Sequence, residues 1–259
     1  MEVSLAMTTG VAAVLASVFG AVIGSFLNVV AYRLPRGESL AHPPSRCPSC
    51  GTPVKPYDNI PMLSWLLLRG RCRKCDEPIS PRYPAVEAGT ALLCALVVLA
   101  EGPEWRALLG IAFVLLLVPI ALIDLDTFTI PNKLTGPGAL IAVALVAIFS
   151  PGALPEHLFA AVAAGGFLFA AWLVYPAGMG MGDVKLAGMM GLFLGRAVGP
   201  AMFAGLIAGA LVGSLIIARL GVAKGRKAKI PFGPYLCLGG LVGLFAGDSI
   251  VDWYLGTFE

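Results

Sequence analysis

Two aspartates and four cysteines are the residues of this chain best suited to chemistry. Asp124 stands in "ALIDLDTFTIPNKL" (121–134) and Asp183 in "PAGMGMGDVKLAG" (176–188), each at the edge of a long apolar run. Ionisable groups in or near hydrocarbon are costly, and they mark a reaction site, a proton path or an ion path. Two carboxylates brought close cannot both ionise easily, so they share a proton. One then activates a water as base while the other, protonated, polarises a peptide carbonyl. That is aspartic protease chemistry. The bland alternative is solvation at helix ends, with Asp183 capping a helix N-terminus.

The neighbouring residues divide between the two readings. Asp126, two positions from Asp124, points to a different helix face and is expected to support it at most. Glycines 178, 180 and 182 leave room for an extended substrate backbone beside Asp183. Lys185 reads as an interfacial anchor whose ammonium snorkels to water. Glu87, just inside another apolar run, carries no assigned role.

The cysteines fall in "CPSC" (47–50) and "CRKC" (72–75), with 21 residues between the pairs. Two such pairs let the thiolates of Cys47, Cys50, Cys72 and Cys75 converge tetrahedrally on one Zn²⁺. Gly51 suits the left-handed position that follows such a turn, and Asp76 occupies the matching place after the second pair. Nearby Arg and Lys favour thiolates. Four cysteines close the site, so the zinc is expected to be structural, and a short proline-rich loop needs that staple. Disulfides are the competing reading, disfavoured by a cytosolic location. Cys94 and Cys237 lie in apolar runs and read as small core residues.

The elements that carry these residues follow from composition. The 259 residues are 58% hydrophobic and 13% charged, with a mean hydropathy of +0.87. A soluble domain carries about a quarter charged residues. About eight apolar runs are long enough to cross a bilayer, with cores near 9–31, 85–100, 105–123, 134–150, 158–175, 185–200, 201–218 and 231–250. The fold class expected is therefore an all-α polytopic membrane protein with one zinc-stapled cytoplasmic loop. Its parts are a first transmembrane helix (1–31), a four-cysteine zinc loop (32–84) and a helical bundle (85–259) carrying the aspartates. The first run lacks a basic leader and a cleavage site, so it is expected to be retained.

Basic residues set the orientation. Sixteen of the 18 Lys and Arg fall on one side of the expected topology, nine of them in 32–84 and five in 219–229. The other two are Arg106 and Arg196. That bias places the zinc loop in the cytoplasm and both termini outside. Segment 219–230 then reads as a topological anchor against anionic lipid. "GLIAGALVG" (205–213) reads as close helix packing. No convincing internal repeat is visible.

"GSFLNVVAYRLP" (24–35), the paired CxxC motifs, "SPRYPAVE" (80–87), "LIDLDTFTIPN" and "GMGDVK" (180–185) occur in unbroken order. Together they resemble the prepilin peptidases, the type 4 prepilin leader peptidases of the GxGD class of intramembrane aspartic proteases. The resemblance implies an endopeptidase of the inner membrane. It would cut the basic leader from type IV prepilins and pseudopilins of type II secretion, after a glycine and on the cytoplasmic side. It also implies N-methylation of the new terminus by S-adenosylmethionine, and it maps the catalytic pair onto Asp124 and Asp183. Asp76 departs from the glycine common at its place in relatives. No glycine-rich nucleotide motif is present, so the methyl-donor site is expected at the membrane face. Prepilins and lipid are the expected partners, with no nucleic acid. The competing class is a cation transporter or channel with a zinc-stapled gate, which requires carboxylates spread across membrane depth or in rings.

Overall fold

The computed structural model describes residues 2–176, 179–221 and 229–257. Gly178 and much of the basic 219–229 segment lie outside that range. Among the described residues every long element is helical, and the only extended pairings are two isolated bridges. The chain divides into two units, Met1–Pro119 and Ile120–Glu259.

The first unit is built on an antiparallel pair, α1 (Glu2–Arg33) and α3 (Arg82–Glu101). Small residues bring the two backbones together. A Cβ on Gly20 would lie 2.8 Å from the Thr90 carbonyl oxygen, and one on Gly24 would lie 3.0 Å from the Glu87 Cα. Without directional hydrophobic drive between helices in lipid, such close approach is what holds them. Asn28 tightens the same seam. Its side-chain amide donates to the carbonyls of Gly24 and Tyr83, each at 3.3 Å. Between the two helices lies a lobe with a short helix, α2 (Leu63–Leu67), and the four-cysteine centre. Helix α4 (Trp105–Thr127) leads from this unit into the second.

The second unit holds α5 (Asn132–Phe149), α6 (Leu154–Val174), α7 (Met181–Leu194) and α8 (Val198–Leu220). It ends with α9 (Gly233–Val242), a π turn (Gly243–Gly247) and α10 (Asp248–Gly256). Glycine seams join these helices in pairs. A Cβ on Gly191 of α7 would lie 2.5 Å from the Ala161 backbone of α6. Gly205 meets Tyr235 and Leu236 of α9, and Gly243 meets Ala197 and Ala201. The seams run antiparallel in both cases.

Seven stretches are long and apolar enough to cross a membrane, and the sixth is the 40-residue Met181–Leu220. It is two helices rather than one. At Gly195 the backbone takes φ +55, a value glycine adopts at little cost, and the chain turns back through Gly195–Ala197. The eight expected runs thus map onto seven membrane-long stretches, the sixth of them split at 195–197 rather than at the expected 200/201, which leaves only 14 residues to α7. Its rise of about 21 Å falls short of the ~30 Å hydrocarbon core. Large apolar side chains face outward along the others, with Leu140 72%, Phe159 75% and Val174 85% exposed. Exposure of that kind suits lipid.

Candidate active site and metal centre

Asp124 lies in the last turn of α4, which continues to Thr127 rather than ending at Asp124. Phe128, at φ +55, stops the helix by donating its N–H to the Asp124 carbonyl at 2.9 Å. The Asp124 side chain is buried, at 4% exposure. Its Oδ2 accepts the backbone N–H of Gly233 at 2.8 Å. Gly233 opens α9 within "IPFGPY", and a Cβ there would lie 2.7 Å from that same oxygen. Only a glycine lets this amide reach the carboxylate. Sequence reasoning passes over Gly233, and its flanking Phe232 and Pro234 at the start of an apolar run are the available signal.

Asp183 occupies the first turn of α7 and is also buried, at 7% exposure. Its Oδ2 reaches back to the Gly180 N–H at 3.0 Å, while its own N–H donates to the Gly180 carbonyl at 3.1 Å. This is half of a capping box, so the capping role is real. Gly182 lies under Ile130, where a Cβ would come within 2.9 Å of the isoleucine Cβ. The two carboxylates are near enough for their charges to interact, and both charges also act on the buried Cys237. Each aspartate has one oxygen held by a glycine amide, and Oδ1 of each makes no hydrogen bond among the described residues.

Asp126 is exposed, on another face of α4. Lys185 does more than snorkel: its Nζ donates to Asn132 Oδ1 at 2.9 Å, joining the starts of α7 and α5. Glu87 is buried, and its Oε2 accepts the Met62 N–H at 2.6 Å.

The four cysteine sulfurs lie within 4.8 Å of one another. Tetrahedral Zn–S bonds of about 2.3 Å place sulfurs about 3.8 Å apart, and the Cys47–Cys75 and Cys50–Cys72 pairs stand at 3.7 and 4.0 Å. The donor set therefore fits one ion. Two copies of one turn build it, offset by 25 residues. Cys47 N–H donates to Thr52 and Gly51 N–H to Cys47, just as Cys72 donates to Glu77 and Asp76 to Cys72. The bridges Arg46–Pro53 and Arg71–Pro78 complete the match. This small repeat escapes a sequence reading, because only the cysteines are shared by eye. Gly51 at φ +68 and Asp76 at φ +60 hold the corresponding left-handed positions.

The thiols are electrostatically unequal. The hydroxyl and then the amide of Thr52 lower Cys50 to about 6, and amides of Cys75 and Lys74 lower Cys72. The Glu77 amide favours a thiolate at Cys75, yet desolvation and the three neighbouring sulfurs push that thiol up to about 12. Four thiolates at this spacing repel, and a divalent cation removes the repulsion.

Comparison with known proteins places this geometry in context. The model of the bacterial peptidase A24 N-terminal domain matches residues 18–100, and that of the type IV leader peptidase family matches residues 111–220. A prepilin leader peptidase/N-methyltransferase of Aeromonas hydrophila is 37% identical over 93% of this chain and 92% of its own length. The chain belongs to the type IV leader peptidase family. Relatives of the same description are 34% identical in Neisseria gonorrhoeae, over 93% of this chain and 94% of the relative, and 43% identical in Myxococcus xanthus, over 70% and 56%. No solved structure matches.

Proposed function

We propose that this type IV leader peptidase is an intramembrane aspartic endopeptidase that removes the basic leader of type IV prepilins and pseudopilins, with Asp124 and Asp183 as its catalytic pair. The observation that carries the assignment is two buried carboxylates within each other's field, each held through Oδ2 by a glycine amide and each with an Oδ1 that bonds to none of the described residues. Helix caps facing solvent would not be buried together. The basic-residue bias supports a cytoplasmic zinc lobe with both termini outside, and the family resemblance supports cleavage on that same side.

In the mechanism the pair holds one proton between them. The ionised aspartate takes a proton from a bound water as its oxygen bonds to the scissile carbonyl carbon. The protonated aspartate donates to the carbonyl oxygen, giving a neutral tetrahedral diol. Collapse breaks the C–N bond, a proton passes to the leaving amine, and the pair returns to its single-proton state. Gly233 and Gly180 keep the two carboxylates from rotating out of register.

The ion of the four-cysteine centre is assigned as structural zinc, since four thiolates leave no open coordination position. The relatives' names include N-methyltransferase, and we extend that second activity, with S-adenosylmethionine as methyl donor, to this chain. A cation-transporter reading finds no support in the family membership or in a single buried carboxylate pair.

The test is processing of a co-expressed prepilin by wild type, Asp124→Asn, Asp183→Asn and Asp126→Asn, with mass spectrometry of the product N-terminus. Loss of cleavage in the first two alone, at equal protein levels, supports the pair. Cleavage by all variants reduces both aspartates to caps. A product heavier by one methyl group establishes the second activity, and an unmethylated product removes it.

A further inference from the structure

The short helix α2 presents its apolar side outward. Leu63, Leu66 and Leu67 are 49%, 63% and 73% exposed, whereas Ser64 is buried and the Trp65 indole N–H donates to the Ile79 carbonyl at 3.0 Å. At 100° per residue the three leucines share one arc, and Ser64, Trp65 and Leu68 fill the opposite one. Trp65 is locked inward, packed so closely under Gly70 that a Cβ there would lie 2.8 Å from its ring. The leucines therefore cannot turn into the lobe.

Two features fix the depth of this face. The N–H of Met62, the residue before α2, donates to Glu87 Oε2 at 2.6 Å. Glu87 lies five residues into α3, about 7.5 Å along a helix that spans the membrane. Its side chain tilts back toward the N-terminus of that helix. Tyr32 and Tyr83, 54% and 47% exposed, stand in the last turn of α1 and the first turn of α3. Exposed tyrosines at that position mark the membrane–water boundary. The start of α2 is thus held at or just below the headgroup level, where its leucines meet acyl chains.

We infer that α2 is an interfacial anchor, with Leu63, Leu66 and Leu67 inserted in the membrane leaflet adjoining the four-cysteine lobe. Exposed Arg69, two residues past the end of α2, supplies the cation that favours anionic headgroups at the rim. The anchor holds the lobe against the membrane surface, at a level set by Glu87 through the Met62 amide. This inference rests on the reading of α3 as a membrane span.

The experiment uses the full-length protein in nanodiscs of phosphatidylethanolamine and phosphatidylglycerol. Benzoylphenylalanine is introduced singly at Leu66, at Leu67, at Leu92 in the middle of α3, and at Lys74 on the lobe. After irradiation, phospholipid adducts are counted by mass spectrometry. The expected yield at positions 66 and 67 is about tenfold that at 74 and comparable to that at 92, as for an apolar face buried in the acyl boundary. Adducts at 92 without any at 66 or 67 overturn the anchor while leaving the span intact. Protein adducts at 66 and 67 in place of lipid also overturn it, in favour of a second copy or a protein partner. Absence of lipid adducts at 92 overturns the membrane span itself, and the anchor with it.

Discussion

The ammonium of Lys185 donates to Asn132 Oδ1 at 2.9 Å, tying the first turn of α7 to the first turn of α5. Asp183 lies two residues before Lys185, and the segment from Phe128 to Pro131 runs from the end of Asp124's helix to Asn132. The bridge therefore limits how far the two aspartate-bearing stretches of chain can separate. Lys185→Met is expected to lower kcat for prepilin cleavage about three- to tenfold with KM little changed, the scale of one exposed charged hydrogen bond. Steady-state kinetics in reconstituted membranes measures it, and an unchanged kcat would return Lys185 to the role of a snorkelling anchor.

Replacing Asp124 or Asp183 by Asn removes a titrating group without changing shape. Cleavage should fall on the order of a thousandfold or more in either variant, and the double variant should be no worse than the singles, because the pair acts as a unit. Asp126→Asn should cleave at near wild-type rate. Initial rates on a synthetic prepilin peptide decide between these outcomes.

Gly233→Ala places a carbon against Asp124 Oδ2, where the structure leaves only 2.7 Å. The amide bond must lengthen or the carboxylate must rotate, so cleavage should drop by about two orders of magnitude, the cost of a misplaced catalytic group. Thermal stability should change by only about 1–2 kcal/mol, since one packed methyl is at issue. Parallel activity and thermal-shift measurements separate the two effects.

The four-cysteine lobe has little core of its own, so metal and fold are linked there. Chelation, or Cys72→Ser, should open the lobe to proteases between α1 and α3 and leave the α6–α7 pair protected. Acidification should act in the same direction. Cys50 is held at about 6 by Thr52, so its thiolate is present at neutral pH and is lost as pH falls through that value, and the neighbouring amides lower Cys72 in the same direction. Limited proteolysis against pH, with metal analysis of the same samples, tests both.

Two glycines of similar appearance should behave differently. Gly191→Val drives a branched side chain into the Ala161 backbone, 2.5 Å from where its Cβ would begin, and should separate α6 from α7. Gly199→Ala in α8 meets nothing within 4 Å and should shift stability by no more than about 1 kcal/mol. Thermal midpoints in detergent distinguish them.

Much of this architecture is legible before any coordinates. Hydropathy locates the seven membrane-long stretches, because a membrane span must be both long and apolar. The cysteines stand out because two CxxC pairs have few other uses. Asp124 and Asp183 stand out because carboxylates are costly in apolar surroundings. What escapes such a reading is of another kind. Gly233 acts through its backbone amide, which nearly every residue has, and through a missing Cβ, which looks like ordinary packing in a glycine-rich chain. Glu87 is conspicuous, but its partner is the Met62 amide, which leaves no trace in side-chain patterns. The turn at Gly195 hides inside 40 continuous residues of apolar character, where only a backbone angle marks the reversal.

The two aspartates depend on glycines at very different distances along the chain. Gly180 precedes Asp183 by three residues, whereas Gly233 follows Asp124 by 109. Asp183 can therefore be seated as soon as α7 forms, but Asp124 waits for α9. At 5–20 residues per second, the roughly fifty residues from Asp183 to Gly233 take about 3–10 s to synthesise. Over that interval Asp124 lacks the amide that holds its Oδ2. On the proposed catalytic role of the pair, cleavage requires the helix that brings Gly233, so a chain ending before α9 is expected to be inactive even with both aspartates in place.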